Sequence, residues 1–284
     1  MKILVLGSSG LLGSSLIPIF KNSSHEINTH SFSSEDSDHI EDITNKSATI
    51  EFLKKVKPDV VINLICLSDV DECERDIQKS YDLNVLTTKN IVESITILSK
   101  ETKLIQISTD QLYDSMTLNR ENKIRIINNY SQTKYESEIV AGNIDATIIR
   151  TNFFGNSLHD TKLSFSDWVS ETLCNEKIKY FKDIYFSPLS MNTISKILLR
   201  IIDQGLQSGV YNLGSKEGMS KYDFAKKIAN HRKIKLSEKR SISIDQIRLL
   251  AKRPKGMLLD LEKFENTYNI NLPTLEKEIA GLFE

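Results

Sequence analysis

Short runs of β-branched and other apolar residues alternate with helix-length segments along the first half of the chain. The extended runs lie at 2–6, 26–32, 59–64, 103–108 and 145–149. The intervening segments that are long enough for helices lie at 11–21, 46–57, 76–99 and 130–141. Strands that alternate with helices are typical of βαβ units, which build a parallel sheet covered on both faces. The pattern therefore predicts an α/β fold with a doubly wound parallel (Rossmann) sheet and right-handed crossovers.

Beyond Arg150 this alternation becomes less regular. The pattern there predicts an extended aromatic segment at 178–186, a short strand at 209–214, and helices at 163–175, 190–204, 219–231, 243–251 and 274–283. The serine- and acid-rich segment 31–45 is predicted to be a solvated loop. We therefore divide the chain near residue 150. Residues 1–150 form the first domain, and 151–284 form a smaller region, parts of which are expected to pack back on the first.

The composition is that of an ordinary globular protein, with 39% hydrophobic and 26% charged residues among 284. Its 37 lysines and arginines nearly balance 38 aspartates and glutamates, so no overall charge attracts nucleic acid or an anionic membrane. Three cysteines without paired spacing favour a reducing compartment. The apolar runs are too short for a membrane helix, and a strand-like run begins at Lys2. We expect a cytoplasmic protein.

Three glycines, Gly7, Gly10 and Gly13, lie between the first predicted strand and the first predicted helix. Such glycines allow a tight turn, a close backbone approach to a pyrophosphate, and close packing of helix on strand. The helix N-terminus then offers free N–H groups to the anion. A glycine-rich turn without a ligand is the alternative, but the position after a strand favours dinucleotide binding. Residues 1–150 are thus predicted to bind the dinucleotide, and 151–284 the substrate.

The end of the second predicted strand bears on the choice of cofactor. Enzymes that use NAD commonly place a carboxylate there for the ribose 2′-hydroxyl. Here the strand ends at His30 or Ser31, and Glu35 lies too far along the chain. No arginine lies there either. The sequence favours NADP(H) and leaves NAD(H) open.

A tyrosine and a lysine four residues apart share one helical face, and this spacing occurs twice. Tyr130 and Lys134 begin the helix after the strand that ends in Thr109, at the ligand-binding edge of the predicted sheet. Tyr222 and Lys226 lie in a late helix, where we predict a solvated helical face. Position therefore favours the first pair as the functional one.

Taken with the glycine loop, these segments resemble an extended short-chain dehydrogenase/reductase, and within it the dTDP-4-dehydrorhamnose reductase group. The segment ISTDQLYD resembles S-T-D-x-V-[FY]-D, and NYSQTKYESE resembles N-x-Y-G-x-T-K-x-x-G-E. Two further segments, NLICLSDVDECE and AKRPKGMLLDLEKF, resemble N-A-A-A-x-T-x-V-D-x-x-E and A-R-P-x-x-S-x-L-D-x-x-K. The segments follow one another in the family's order, so the resemblance covers nearly the whole chain.

The resemblance implies hydride transfer from a reduced nicotinamide to the ketone of a nucleotide-linked 4-keto-6-deoxy sugar, for surface polysaccharide precursors. Tyr130 would donate the proton, Lys134 would stabilise the phenolate and bind the ribose, and Thr109 would orient the carbonyl. The implied cofactor-binding residues are Gly7, Gly10, Leu11, Leu12, Gly13, Asp42, Ile43, Leu64, Ile65, Tyr130 and Lys134. The implied substrate-binding residues are Ser68, Val70, Thr109, Phe153 and Arg253. Arg253 would contact the diphosphate, although its basic segment also fits a solvated loop.

The sequence departs from the family pattern at several positions. Ser131 replaces a glycine, Phe153 a tryptophan and Met257 a serine, the last two in the implied sugar site. Some members have a glutamate in an intersubunit metal site, where this chain has Ser15, so no metal is implied.

Two other functions stay open at this point. A nucleotide-sugar epimerase or 4,6-dehydratase would use an acid pair after the strand, but Gln111 follows Asp110 here and cannot titrate. A non-catalytic NADP-binding regulatory subunit is disfavoured by the intact Thr109, Tyr130 and Lys134. The expected partner is a nucleotide-diphosphate sugar, with no nucleic acid and no membrane, and a homodimer is left open.

Overall fold

The computed structural model describes residues 1–98, 101–158 and 162–283. The strands in these ranges are β1 (Lys2–Leu6), β2 (Glu26–Ser31), β3 (His39–Ile40), β4 (Val60–Asn63), β5 (Lys103–Thr109), β6 (Ser115–Asn119), β7 (Ala146–Thr151), β8 (Phe153–Phe154), β9 (Tyr180–Phe181), β10 (Tyr185–Phe186), β11 (Leu189–Ser190), β12 (Gly209–Leu213), β13 (Met219–Ser220), β14 (Ser241–Ile242) and β15 (Gly256–Leu259). The helices are α1 (Leu11–Lys21), α2 (Lys46–Val56), α3 (Val70–Arg75), α4 (Ile77–Tyr81), α5 (Thr87–Leu98), α6 (Asn129–Ala141), α7 (Phe165–Thr172), α8 (Met191–Gln204), α9 (Lys221–His231), α10 (Glu262–Tyr268) and α11 (Leu275–Ala280).

Seven strands form a parallel sheet in the order β12-β7-β5-β4-β1-β2-β3. The chain starts at β1 near the middle and winds outward in both directions, which is the doubly wound topology. The predicted α/β fold class is therefore confirmed.

Successive side chains of β1 pack into two separate cores, because neighbouring residues of a strand point to opposite faces of a sheet. Ile3 and Val5 pack with α1 and α8 on one face. Leu4 and Leu6 pack with α2 and α5 on the other. Both faces of the sheet are thus covered, and only its edges are left to bind a ligand.

A second, smaller sheet has the strand order β13-β10-β15-β6. Its aromatic core includes Phe154, Phe186 and Phe224. Strand β6 reaches this sheet from the first half of the chain, whereas β12 and α8 from the second half join the large sheet and its core. Elements from both halves of the chain thus contribute to both sheets. The division at residue 150 stays a prediction.

Three predicted elements differ in the structure. The segment 243–251 is not a helix: it contains a short 3-10 turn, Ile244–Gln246. The Asp183 carboxylate accepts hydrogen bonds from the Ser243 hydroxyl (2.6 Å) and the Ile244 N–H (2.9 Å), which hold the segment against the connection between β9 and β10. The helix predicted at 76–99 contains a π-helical turn, Asp82–Leu86, and its last residue lies outside the described ranges.

The third difference is in the predicted loop 31–45. Residues His39–Ile40 in this segment pair with β2 as the edge strand of the large sheet. Within the described ranges, no helix combines the length and the apolar character that crossing a bilayer requires.

Candidate active site

A cavity of about 520 Å³ opens at the carboxyl ends of β1, β4 and β5, where ligands bind in doubly wound sheets. We call it the sheet-edge cavity. It brings the glycine loop together with Thr109, Tyr130 and Lys134. Its lining consists of Gly7, Gly10, Leu11, Leu12, Gly13, Leu64, Cys66, Ser68, Ile107, Ser108, Thr109, Asp110, Gln111, Tyr130, Lys134, Thr151, Asn152, Phe153, Lys162 and Phe165.

The glycine loop has the backbone geometry that a pyrophosphate site requires. Gly7 has a φ of 78°, in the left-handed region that favours glycine. A Cβ on Gly13 would lie 2.5 Å from the carbonyl oxygen of Ser8, so a larger residue would displace the loop from α1. Gly10 precedes α1, and no side chain caps the first turn of that helix. The free N–H groups of the turn therefore open onto the cavity, as anion binding at a helix N-terminus requires.

Tyr130 lies in the first turn of α6, whose start is fixed by a capping box. The Asn128 side chain accepts a hydrogen bond from the Ser131 N–H (2.7 Å), and the Ser131 hydroxyl accepts one from the Asn128 N–H (3.3 Å). Ser131, which departs from the family's usual glycine, thus helps to start the helix. Tyr130 is 7% exposed and packs against Val70 and Ala251.

The Tyr130 hydroxyl is surrounded by groups that decide its protonation. Burial and the neighbouring Cys66 thiol raise the pKa of Tyr130 well above its usual value, although the nearby Thr109 hydroxyl lowers it. The hydroxyl is therefore protonated at neutral pH, as a proton donor must be.

Lys134 lies one turn after Tyr130 on the same face of α6 and is 2% exposed. Its Nζ donates a hydrogen bond to the backbone oxygen of Ile107 at 2.7 Å. An ammonium group has three donors, so two remain for other partners. Lys134 is thus anchored to β5 beside the cavity and keeps hydrogen-bonding capacity.

Asp110 is a buried acid in the cavity wall that sequence reasoning did not assign to the site. Its Oδ2 accepts a hydrogen bond from Asn152 Nδ2 at 2.8 Å. Burial raises the pKa of Asp110 to about 7, against the lowering effects of Asn152 and of the positive charge of Lys221. Lys221 Nζ lies 5.1 Å from the ring centre of Phe165, which lines the cavity. The STD motif contains Asp110. The residues that surround Asp110 in the structure, Asn152 and Lys221, are distant in sequence, so its environment could not be predicted.

Five predicted site residues lie outside the cavity lining: Asp42, Ile43, Ile65, Val70 and Arg253. Val70 belongs to the same small apolar cluster as Tyr130. Arg253 pairs with Asp71 (3.0 Å) and lines a neighbouring cavity of about 800 Å³. The roles assigned to these five residues stay predictions.

The environment predicted for the second tyrosine is wrong. Tyr222 is 8% exposed and lies in the aromatic core of the smaller region, not on a solvated face. Helix α9 packs against α7, α11, β9 and β13, and its Tyr222 side chain faces this core. Its lysine, Lys226, is exposed.

The described residues contain no group of three or more His, Cys, Asp or Glu side chains placed to hold a metal ion. The Ser15 hydroxyl, at the position of the metal-site glutamate in some relatives, donates to the sulfur of Met191. Beside the glycine loop, the site contains a tyrosine, a lysine, hydroxyl groups, the Cys66 thiol and the Asp110 carboxyl group.

The comparisons with known proteins agree with this geometry. A family model described as RmlD substrate binding domain matches residues 1–284. The protein named "Probable low-salt glycan biosynthesis reductase Agl14" of Haloferax volcanii is 26% identical over 99% of this chain and 97% of its own. A crystal structure of a dTDP-4-dehydrorhamnose reductase from Clostridium acetobutylicum is 25% identical, covers 100% of both chains and has a TM-score of 0.85.

A third similar protein is the dTDP-4-dehydrorhamnose reductase of Bacillus anthracis, solved in complex with NADP. It is 20% identical, covers 99% of this chain and 98% of its own, and shares the fold with a TM-score of 0.88. The resemblance inferred from the sequence motifs is confirmed: the chain belongs to the RmlD substrate binding domain family, within the extended short-chain dehydrogenases/reductases.

Proposed function

We propose that the protein is an NADP(H)-dependent reductase of a nucleotide-diphosphate-linked 4-keto-6-deoxy sugar that supplies precursors of surface polysaccharides. One observation carries the proposal: Thr109, Tyr130 and Lys134 line the same cavity as the glycine loop. A hydride donor held by that loop and a ketone next to Tyr130 would meet within this space. The similar proteins named as reductases support the same reaction class.

The chain's own residues would complete the reduction as follows. The bound cofactor supplies the hydride that reaches the ketone carbon. The carbonyl π electrons move to the oxygen, which takes the proton of the Tyr130 hydroxyl, so that an alcohol and a phenolate result. The Thr109 hydroxyl, next to that of Tyr130, would orient the carbonyl oxygen. The phenolate is stabilised by the positive charge of Lys134, whose free N–H donors can also bind ribose hydroxyls.

The environment of β2 supports NADP(H) as the preferred cofactor. Glu35 and Asp36 are exposed and do not line the cavity. Asp38 turns back onto β2, where its carboxylate accepts two hydrogen bonds from Thr29. A neutral hydroxyl, that of Ser37, faces the glycine loop instead, 3.2 Å from the Ser8 hydroxyl. In the described part of the cavity wall near β2, therefore, no carboxylate would repel the 2′-phosphate of NADP(H). NAD(H) stays open as a weaker cofactor.

The cavity wall also supports simple reduction over a dehydratase reaction. Among the described lining residues Asp110 is the one carboxyl group, and Gln111 follows it. Ser68 and Phe153 line the cavity and are proposed to contact the sugar. We propose that Arg253 exchanges its ion pair with Asp71 for one with the diphosphate of the substrate. The free thiols of Cys66, Cys73 and Cys174 are in keeping with a cytoplasmic location.

A screen of NADPH oxidation with dTDP-, UDP-, GDP- and CDP-linked 4-keto sugars tests the proposal. We expect oxidation with at least one of them, and tighter binding of NADPH than of NADH in a fluorescence titration. Substrate consumption without nicotinamide oxidation would favour the epimerase or dehydratase. Binding of NADPH with no turnover of any sugar would favour the regulatory subunit.

A further inference from the structure

Three buried polar side chains connect the strand that ends in Thr109 with the helix that holds Tyr130. Ser108 precedes Thr109 in β5, and Glu138 lies one turn after Lys134 on the same face of α6. Arg150 comes from β7, the neighbour of β5 in the sheet. We propose that Ser108, Glu138 and Arg150, here called the carboxylate strap, position the reacting groups of α6 against those of β5. This inference rests on the proposed reductase function.

The distances show that one carboxylate holds both elements. Glu138 Oε1 accepts hydrogen bonds from the Ser108 hydroxyl (2.5 Å) and from Arg150 Nε (2.9 Å). Glu138 Oε2 accepts the second arm of the same guanidinium at 2.6 Å. The side chains of Glu138 and Arg150 are 3% and 2% exposed. The planar bidentate pair fixes both the distance and the angle between α6 and the sheet.

A further nitrogen of Arg150 extends the strap to residues on either side of β6. One guanidinium nitrogen donates to the Tyr113 hydroxyl (2.8 Å) and to the backbone oxygen of Glu121 (2.7 Å). The Tyr113 hydroxyl donates in turn to Asn212 Oδ1 on β12 at 2.7 Å. A fully hydrogen-bonded buried network of this kind favours one arrangement of its members over others.

Stability alone gives little reason for a buried ion pair at this place. Replacing such a pair by apolar side chains of similar volume is often neutral or stabilising, because both charges lose their hydration. An apolar contact, however, does not fix the orientation of α6 relative to the sheet, whereas a bidentate ion pair does. Tyr130, Lys134 and Glu138 follow one another at successive turns of α6, so a small rotation of the helix would displace the Tyr130 hydroxyl from Thr109. The strap prevents that rotation.

The test is Ser108→Ala in the full-length protein, assayed with NADPH and the 4-keto sugar that the wild-type protein reduces. This variant removes the bond from β5 to Glu138 and leaves the Glu138–Arg150 pair in place. We expect kcat to fall by roughly 10- to 100-fold, the range that a small misplacement of reacting groups produces. KM for the sugar and the Kd of NADPH should stay within about twofold, because Glu138 and Arg150 lie outside the cavity lining and the Ser108 hydroxyl is engaged with Glu138.

Ser94→Ala is the matched control, since Ser94 is also fully buried and its hydroxyl donates one bond, to the Asn90 carbonyl within α5. Equal Tm losses with a kcat loss only in Ser108→Ala would support the strap. Equal kcat in the two variants would overturn it, as would a loss confined to KM. Absence of turnover in the wild-type protein would refute the proposed function instead.

Glu138→Gln provides a stronger perturbation of the strap, with Arg240→Met as its control. Arg240 is 6% exposed, donates to the carbonyls of Thr172 and Ile178, and does not line the sheet-edge cavity. Both variants should lower Tm. Assayed below both melting temperatures, Glu138→Gln should lose more kcat than Ser108→Ala, and Arg240→Met should lose none. Full activity of a folded Glu138→Gln variant would also overturn the proposal.

Discussion

The two tyrosine–lysine pairs have identical spacing and different surroundings. Tyr130 and Tyr222 are buried almost equally, at 7% and 8% exposure, and burial raises the pKa of both. Tyr130 borders the sheet-edge cavity, and Lys134 is buried with its ammonium on the Ile107 carbonyl. Tyr222 lies in an aromatic core, where its hydroxyl has no hydrogen-bond partner among the described residues, and Lys226 is exposed.

The comparison teaches that neither spacing nor burial identifies a reactive tyrosine. What separates the pairs is the structural position of the helix. Helix α6 packs on β5, a central strand of the large parallel sheet, and its first turn lies at the edge where the strands end. Helix α9 packs into the smaller region, and Tyr222 in its first turn lies in the aromatic core of that region. A shared cavity with hydroxyl and ammonium groups gives Tyr130 its proposed role.

The largest effect is expected from Tyr130→Phe. The change removes one hydroxyl and keeps the ring, so folding and cofactor binding should persist. Loss of a positioned acid should lower kcat by roughly 10²- to 10⁴-fold, with little change in KM, since the proton moves only in the transition state. Tyr222→Phe is the control: steady-state kinetics should show unchanged turnover. Equal losses in the two variants would remove the distinction between the pairs.

A smaller effect is expected from Lys134→Met. The change removes the buried charge that is proposed to stabilise the phenolate and to bind the ribose, so kcat should fall by roughly 10²- to 10³-fold. The Kd of NADPH, measured by fluorescence titration, should rise as well. Lys226→Met removes an exposed charge at the matching position and should change neither value. Weaker NADPH binding in both variants would contradict the assignment.

Cofactor binding can be tested separately by substituting two glycines at which an added Cβ would meet its nearest neighbour at the same distance. A Cβ on Gly10 would lie 3.3 Å from the Gly7 oxygen, and one on Gly142 would lie 3.3 Å from the Glu138 oxygen. Of these two glycines, Gly10 lines the cavity and Gly142 does not. Gly10→Val should therefore raise the Kd of NADPH at least about tenfold, which corresponds to ~1.4 kcal/mol. Gly142→Val should leave it unchanged, and a similar rise in both would mean that the loop does not hold the pyrophosphate.

The last of these predictions concerns pH and links the two regions, because Lys221 precedes Tyr222 on α9 and interacts with Asp110. The pKa of Asp110 is about 7 in the folded protein and near 3.8 otherwise, so folding favours the protonated form. The contribution of Asp110 to stability is therefore fully present below pH ~4 and is lost as the pH rises to about 7. Asp110→Asn should flatten the fall in the free energy of unfolding over this interval. An unchanged pH profile in urea titrations would contradict the buried, protonated state.

Much of the fold could be predicted from the sequence, because periodicity reports which faces of an element are buried. Helix α1 begins and ends at the predicted residues, and β1, β4, β5 and β7 lie where the β-branched runs predicted them. Segment 243–251 could not be predicted, since its conformation depends on the Asp183 carboxylate 60 residues away from Ser243. Strand β15 was missed for a similar reason: its partners β6 and β10 come from distant parts of the chain.

In the candidate site, too, features that belong to local motifs could be predicted, and features that depend on tertiary contacts could not. The glycine loop, Thr109, Tyr130 and Lys134 could be found because each belongs to a local motif, and the structure places them in one cavity. The link from Glu138 to Arg150 and the burial of Asp110 depend on tertiary contacts that no local pattern encodes.

The central claim is hydride transfer to the sugar at the sheet-edge cavity. Its most direct test uses NADPH that carries deuterium at both positions of nicotinamide C4, together with the 4-keto sugar nucleotide found in the screen. Mass spectrometry and NMR of the product should show one deuterium, bound to the new carbinol carbon, and the same product should form far more slowly with Tyr130→Phe. A product that contains no deuterium, formed while NADPH is not consumed, would contradict the account.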